Sequence, residues 1–329
     1  MKSKFIILLL VLPLIFSGCS EKSSIPYYLS ITVDSSNVTG ESDKSVYYYD
    51  FDKKLKKIKD LDDLKESSLA LYDKSSDRIY YISGNDENKE LYSFDLKNKK
   101  TSQITQNCHV KDYFTLSEDK VYFLGLNNSH YKPMIYSKDT SEIEILSEDT
   151  DLTFDCIAYD VSEENLYAVG TLLKDFQESV NKSDEDEIVE YPPHYVYEFY
   201  RYLNNSEQLF STYDTAIKSL ICIPGYREFF YKENDYYGSF SYVRKYIYKI
   251  DEEWYYQQSN ESPPNPEVLS ETRNHCFLNR DEVLFIGENS SNLKEYPEGV
   301  YLYNSETEEL KLLFTIGDKK IIDFQLLPK

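Results

Sequence analysis

Short apolar segments recur along the chain behind polar turns: Leu29 to Val33, Ile79 to Ile82, Val121 to Leu124, Leu166 to Val169, Glu228 to Tyr231 and Val283 to Ile286. A strand covered on one face alternates apolar with polar residues. Ile79, Tyr80, Tyr81 and Ile82 do not alternate, so such runs predict strands covered on both faces. After each run comes an aromatic-rich strand, a tight polar turn and another strand. The clearest hairpins are Leu91 to Leu96 with Thr101 to Ile104, Met134 to Ser137 with Ile143 to Leu146, and Val300 to Tyr303 with Leu310 to Phe314. The same hairpin fits Val46 to Phe51 with Leu55 to Ile58, Tyr195 to Tyr202 with Gln208 to Ser211, and Val243 to Ile250 with Trp254 to Gln257.

A further apolar strand precedes the recurring run, as in Tyr113 to Leu116, Cys156 to Tyr159 and Leu220 to Ile223. Each unit then holds four antiparallel strands in about 52 residues, close to the size of a propeller blade. The pattern predicts an all-β chain, a β-propeller of six four-stranded blades spanning residues 28–329; a larger ring or two β domains are the alternatives. The first unit has no first strand ahead of it, and Ile321 to Leu327 looks like a lone first strand with nothing after it. The C-terminal strand is therefore expected to join the first blade and close the ring, leaving no innermost edge open.

The N-terminus reads differently. Lys2 and Lys4 precede an apolar stretch from Phe5 to Ile15, followed by Phe16, Ser17, Gly18 and Cys19. This is the layout of a secretory signal peptide, too short and too interrupted by Pro13 to cross roughly 30 Å of hydrocarbon. Ser17 and Gly18 before Cys19 resemble the lipobox of bacterial lipoproteins, although Phe16 stands where leucine is preferred. The resemblance implies a signal peptide over 1–18, a diacylglycerol on the Cys19 thiol, acylation of the new amino terminus and a short tether over 19–27. Two or more acyl chains hold a protein on a membrane, so the expected location is lipid-anchored on the extracytoplasmic face of the cell membrane.

Composition agrees with strands: 33 Tyr and 17 Phe against 10 Gly favour packed, pleated surfaces. Loss of Lys2 and Lys4 takes the net charge from -22 to -24, which excludes nucleic acid as a partner because polyanions repel such a chain. Cys108, Cys156, Cys222 and Cys276 lie far apart in sequence with no C-x-x-C pair. Their apolar neighbours suggest buried free thiols; the alternative is a disulfide, with Cys222 and Cys276 the best pair.

The strand pattern and unit length, with Tyr92-Ser93-Phe94-Asp95 as a faint blade signature, resemble the six-bladed propellers of the TolB-like group. The resemblance covers roughly residues 28 to 328 and carries over the fold, without any site residue. In such a ring the turns joining strands one to two and three to four share one face. The longer connections share the other: Asp34 to Ser45, Ser83 to Glu90, Gly125 to Pro133, Leu172 to His194, Tyr231 to Ser241 and Gly287 to Glu298. Long loops on a rigid scaffold are where binding residues collect, and these six carry a charge of -11, which favours a cationic partner.

The largest, Leu172 to His194, contains Ser183-Asp184-Glu185-Asp186-Glu187. It reads first as a solvated charged loop; calcium held by Asp184, Asp186 and Glu187 is the weaker alternative, since the spaced Asp-x-Asp-x-Asp-Gly order is missing. The Pro263-Pro264-Asn265-Pro266 segment reads as a stiff connector, and Trp254 as a packing residue of an outer strand. No G-x-S-x-G or H-E-x-x-H motif is present, so neither a serine hydrolase elbow nor a local zinc site is expected. His109 and His275 stand near the starts of innermost strands, where an axial site could gather them. The sequence thus favours a non-catalytic binding or scaffolding protein engaging a protein, peptide or glycan, with no cofactor. The competing class is an extracellular hydrolase or lyase with its site at the central channel.

Overall fold

The computed structural model describes residues 25–34, 44–52, 54–61, 69–85, 88–186, 192–200, 206–213, 217–226, 228–233, 242–250, 253–259, 266–317 and 319–329. The chain begins with β1 (Tyr27–Asp34), β2 (Lys44–Tyr49) and β3 (Leu55–Asp60). A second set is β4 (Ala70–Asp73), β5 (Arg78–Asn85), β6 (Asn88–Asp95) and β7 (Lys100–Gln103). A third is β8 (Phe114–Leu116), β9 (Lys120–Asn127), β10 (His130–Ser137) and β11 (Ile143–Ile145). The fourth, β12 (Leu152–Asp160), β13 (Asn165–Leu172), β14 (His194–Tyr200) and β15 (Ser206–Tyr213), carries helix α1 (Leu173–Asp186) between its second and third strands. Then follow β16 (Ile217–Ile223), β17 (Glu228–Glu233), β18 (Tyr242–Ile250) and β19 (Glu253–Ser259), and β20 (Glu271–Phe277), β21 (Glu282–Glu288), β22 (Gly299–Asn304) and β23 (Glu309–Phe314). The last strand, β24 (Lys320–Pro328), pairs antiparallel with β1 from Tyr27↔Pro328 to Asp34↔Lys320.

The strands form six four-stranded sheets, the first in the order β24-β1-β2-β3. Neighbouring sheets touch in turn, β1 and β2 on β4, β4 on β8, β8 to β10 on β12, β12 on β16 and β16 on β20, and β20 of the last sheet meets β24 of the first, so the arrangement is an all-β propeller. Five sheets are described with the side chains of at least three strands. The fifth in chain order, β16 to β19, is described chiefly by its backbone pairing.

Burial is greatest in the second strands, which carry the apolar runs, and least in the outermost; the axis-lining β20 is buried at one of its seven positions. β13 is buried at seven of eight positions and β1 at six of eight, whereas β7 and β11 are exposed throughout. The cores lie between neighbouring sheets. Leu71, Ile79 and Tyr80 of the second sheet share one cluster with Tyr28 and Val46 of the first and Phe114 and Phe123 of the third. Leu29 and Ile31 share another with Leu284 and Ile286 of the last sheet.

Polar latches cross the same seams. Ser30 and Thr32 of β1, both buried, face the open backbone edge of β4: the Tyr72 N–H donates to Ser30 Oγ at 2.8 Å, and Thr32 Oγ1 donates to the Ala70 carbonyl at 2.9 Å while accepting its N–H at 3.1 Å. An unpaired strand edge is thereby satisfied by hydroxyls of the neighbouring sheet.

Several connections differ from the sequence reading. The segments Ser83 to Glu90 and Gly125 to Pro133 are hairpins, with Asn85 paired to Asn88 and Asn127 paired to His130. Asn128 and Ser129 take positive φ values of 49° and 69°, the backbone of a two-residue turn whose twist matches the flanking strands. Polar residues continue these strands past their apolar centres, which is why they resemble loops in sequence. Helix α1 occupies much of the predicted loop Leu172 to His194; its span lacks Gly and Pro, its first turn holds Asp175, and the Leu173 N–H is taken by the Asp151 carbonyl at 2.8 Å. Trp254 falls on the outer strand β19, and its side chain lies outside the described residues, as do residues 263–265 of the proline-rich connector.

Candidate functional site

The first strands of the sheets converge on the axis and leave two linked cavities. One, of about 460 Å³, is walled by β12, β16, β20 and β24 together with Tyr113 and Thr115. The other, of about 420 Å³, shares Tyr113, Ser219 and Leu220 with the first and adds His109, Lys111, Tyr131 and Asp155. Tyr113 lines both and keeps 39% of its surface open. The second cavity is bordered by Lys89 at the start of β6, by residues 109–113 ahead of β8 and by Tyr131 near the start of β10, on the face of the longer connections. The chain enters on the opposite face, where Tyr27 pairs with Pro328 and the Lys329 N–H donates to the Pro26 carbonyl at 3.0 Å.

The mouth has an aromatic floor and a rim of ion pairs. Lys89 Nζ meets Asp112 at 2.8 Å, and Lys111 Nζ meets Asp155 at 3.3 Å while donating to the Phe154 carbonyl at 3.0 Å. The Lys111 ammonium also stands 4.5 Å from the centre of the Tyr131 ring. His194, at the start of β14, is structural: its Nδ1 accepts the Ile217 N–H at 2.8 Å, joining the fourth sheet to the fifth, and burial lowers its pKa against the pull of Asp155.

The inner cavity is mostly neutral. Asp323 of β24 is the one carboxyl among its described lining residues. Its Oδ1 accepts the Phe324 N–H at 2.7 Å and the Asn274 amide at 2.9 Å. Burial outweighs these two donors and pushes the carboxyl up to about 7. His275 packs its ring 5.6 Å from Phe285, and burial lowers its pKa to about 4, so it is neutral at ordinary pH. Gln325 reaches from β24 to the carbonyl of Phe114, its Nε2 donating at 2.8 Å, while its Oε1 has no partner.

All four described cysteines are free thiols. Cys222 and Cys276 line the inner cavity and Cys156 the outer one. Burial pushes the Cys156 and Cys276 thiols up to about 12 and that of Cys222 well above its usual value, so none is a ready nucleophile.

Other predicted site residues fall elsewhere. Cys19 lies outside the described residues, as does Glu187; Asp184 and Asp186 sit on the last turn of α1, with side chains outside the described residues. Among the described residues no group of three His, Cys, Asp or Glu side chains is placed to hold a metal ion. His109 and His275 line different cavities and do not form one axial site.

Sequence reasoning missed a buried ion pair on the opposite face. Asp73, ending β4, accepts Lys138 Nζ at 2.7 Å, Ser75 Oγ at 2.7 Å and Ser76 Oγ at 2.6 Å, and Lys138 also donates to the Ser117 carbonyl at 2.6 Å. Burial alone would raise the Asp73 carboxyl, but Lys138 and the serine hydroxyls together hold it below its usual range. A signal was present: Asp73-x-Ser75 recurs as Asp160-x-Ser162 at the end of β12, where Asp160 caps its turn and accepts the Gly225 N–H at 3.0 Å.

No protein-family model matches the chain, and no curated protein matches it. Solved structures of similar fold include hydrazine synthase of Kuenenia stuttgartiensis, with TM-score 0.55 and 8% identity over 91% of this chain and 46% of that one. They also include TolB of Acinetobacter baumannii, with TM-score 0.49, 11% identity and coverage of 93% and 68%, and the tricorn protease, with TM-score 0.46, 9% identity and coverage of 82% and 29%. The chain thus spans less than half of the hydrazine synthase and tricorn chains. At these identities the likeness is one of fold alone.

Proposed function

We propose that the protein is a lipid-anchored, extracytoplasmic propeller whose six sheets form one six-bladed ring and which binds, without catalysis, a protein, peptide or glycan at the mouth of its channel. The observation that carries this reading is the mouth itself, a cavity of about 420 Å³ with Tyr113, Tyr131 and Leu220 on its walls and paired charges at its rim. An apolar, aromatic floor with a few fixed polar groups is the usual make-up of a recognition site. Binding is preferred to hydrolysis because the deeper cavity is walled chiefly by apolar side chains, neutral thiols and Tyr113.

The anchor supplies orientation. A lipid on Cys19 would sit a few residues before Pro26, on the face opposite the mouth, so the mouth faces away from the membrane. The excess of acidic residues favours a cationic partner.

Capture from intact cells with the tagged full chain, at low and high salt, tests the site when run beside Tyr131→Ala. Salt-sensitive capture that is lost in the variant is expected; capture indifferent to both changes contradicts it. Cell fractionation of Cys19→Ala tests the address, and continued membrane retention would remove the anchor from the account.

A further inference from the structure

We infer that the inner cavity is a separate binding site for a small organic cation, an ammonium group on an apolar body, with Asp323 as its counter-ion. This does not rest on recognition at the mouth. The cavity, at about 460 Å³, is within the size range of small-molecule sites, and its walls include Ala158, Leu220, Ile221, Phe277 and Leu326. An apolar body fits such walls without leaving polar groups unpaired. One carboxyl in an otherwise uncharged lining then selects the sign of the ligand.

The geometry around Asp323 leaves it half satisfied. Among the described residues both of its hydrogen bonds end on Oδ1, so Oδ2 is available to a donor. Among the described residues no lysine or arginine lines the cavity; Arg273, next to Asn274 on β20, is turned to the Ile321 carbonyl and to Glu298 at 3.2 Å. An ammonium group brings the positive charge that the wall lacks. Gln325 Oε1, buried and without a partner, is a second acceptor among the residues that line the cavity.

Binding is coupled to one proton. In the free chain the carboxyl holds its proton near neutrality, and when the ammonium docks, that proton leaves to solvent and a carboxylate–ammonium pair remains. The groups facing Asp323 from neighbouring elements do not titrate in this range. His275 of β20 is neutral above about 4, Cys276 of β20 is held up to about 12, and Cys222 of β16 and the Tyr113 phenol are raised by burial. Affinity for an amine should therefore climb as pH rises through about 7 and level off above it.

The test is calorimetric titration of the full chain in detergent with benzylamine, benzyl alcohol and benzoate, at pH 6 and pH 8. The expected result is that benzylamine binds at pH 8 at least about tenfold more tightly than the neutral or anionic probe, with an affinity about tenfold lower at pH 6. In buffers of different ionisation enthalpy at pH 7, uptake of benzylamine should release about half a proton. Asp323→Asn should abolish the preference for the amine and the proton release. Ser219→Phe, which fills the cavity and leaves Asp323 in place, should abolish binding of all three probes. Equal affinity for amine and alcohol, no detectable amine binding, or unchanged amine binding in a folded Asp323→Asn protein would each overturn the inference.

Discussion

Two carboxyls, each on the first strand of a sheet, have opposite surroundings, Asp73 buried and Asp323 half-buried. Asp73 meets an ammonium and two serine hydroxyls at the face of short turns. Among the described residues Asp323 meets one backbone and one side-chain amide, beside the inner cavity. The first is held below the usual carboxylate range and the second pushed up to about 7. A charge that the fold itself compensates is a fastener, tying the second sheet to the third. A carboxyl that the fold leaves without a counter-charge costs stability, and its position in a cavity gives that cost a use.

The contrast can be broken in several ways. Removing Lys320–Lys329 takes away Asp323 with the strand that closes the ring, leaving the β1 edge unpaired; no cooperative thermal transition is expected, and a truncated chain that melts like the full one would refute ring closure. Lys138→Met strands the Asp73 carboxylate in the core and should cost about 3–5 kcal/mol in urea denaturation. Adding Asp73→Asn should recover part of that loss, which a double-mutant cycle measures.

Asp323→Asn should act in the other direction. Between about pH 4 and 7 the folded chain keeps a proton at Asp323 that the unfolded chain releases, so this residue lowers stability as pH rises. The asparagine variant should be more stable than the parent at pH 8, by on the order of 3 kcal/mol, and nearly equal to it at pH 4. Asp73 has the reverse sign: its contribution is complete above the unfolded pKa and is lost as pH falls through the lower folded value. The smallest change is Ser76→Ala, which removes one donor to Asp73 and should cost about 1 kcal/mol at neutral pH.

Much of the frame was legible in sequence because burial on both faces leaves an unbroken apolar run. Ile79 to Ile82 and Val283 to Ile286 are second strands as read, and the lone segment Ile321 to Leu327 lies within β24, paired with β1. Strand ends were harder. Ser83 to Glu90 and Gly125 to Pro133 continue as paired strands on polar residues, because ladder hydrogen bonds persist where core contacts stop. Helix α1 went unread because a polar segment such as Lys174-Asp175-Phe176-Gln177-Glu178 shows little apolar periodicity, and Phe176 stays exposed.

The site was less legible than the frame. His109 precedes β8 and His275 falls within β20, and strand order alone could not show that they line different cavities. Asp323, between Ile322 and Phe324, reads as an ordinary polar position of an alternating strand. Its place beside the inner cavity comes from the packing of β24 against β20 and the approach of Tyr113.

The most direct measurement is a carbon-13 NMR titration of the Asp323 carboxyl in the full chain, with and without benzylamine. The midpoint expected in the free protein is near 7, falling by at least about one unit when the amine is bound. A midpoint near the ordinary value of about 4, unmoved by the amine, would contradict it.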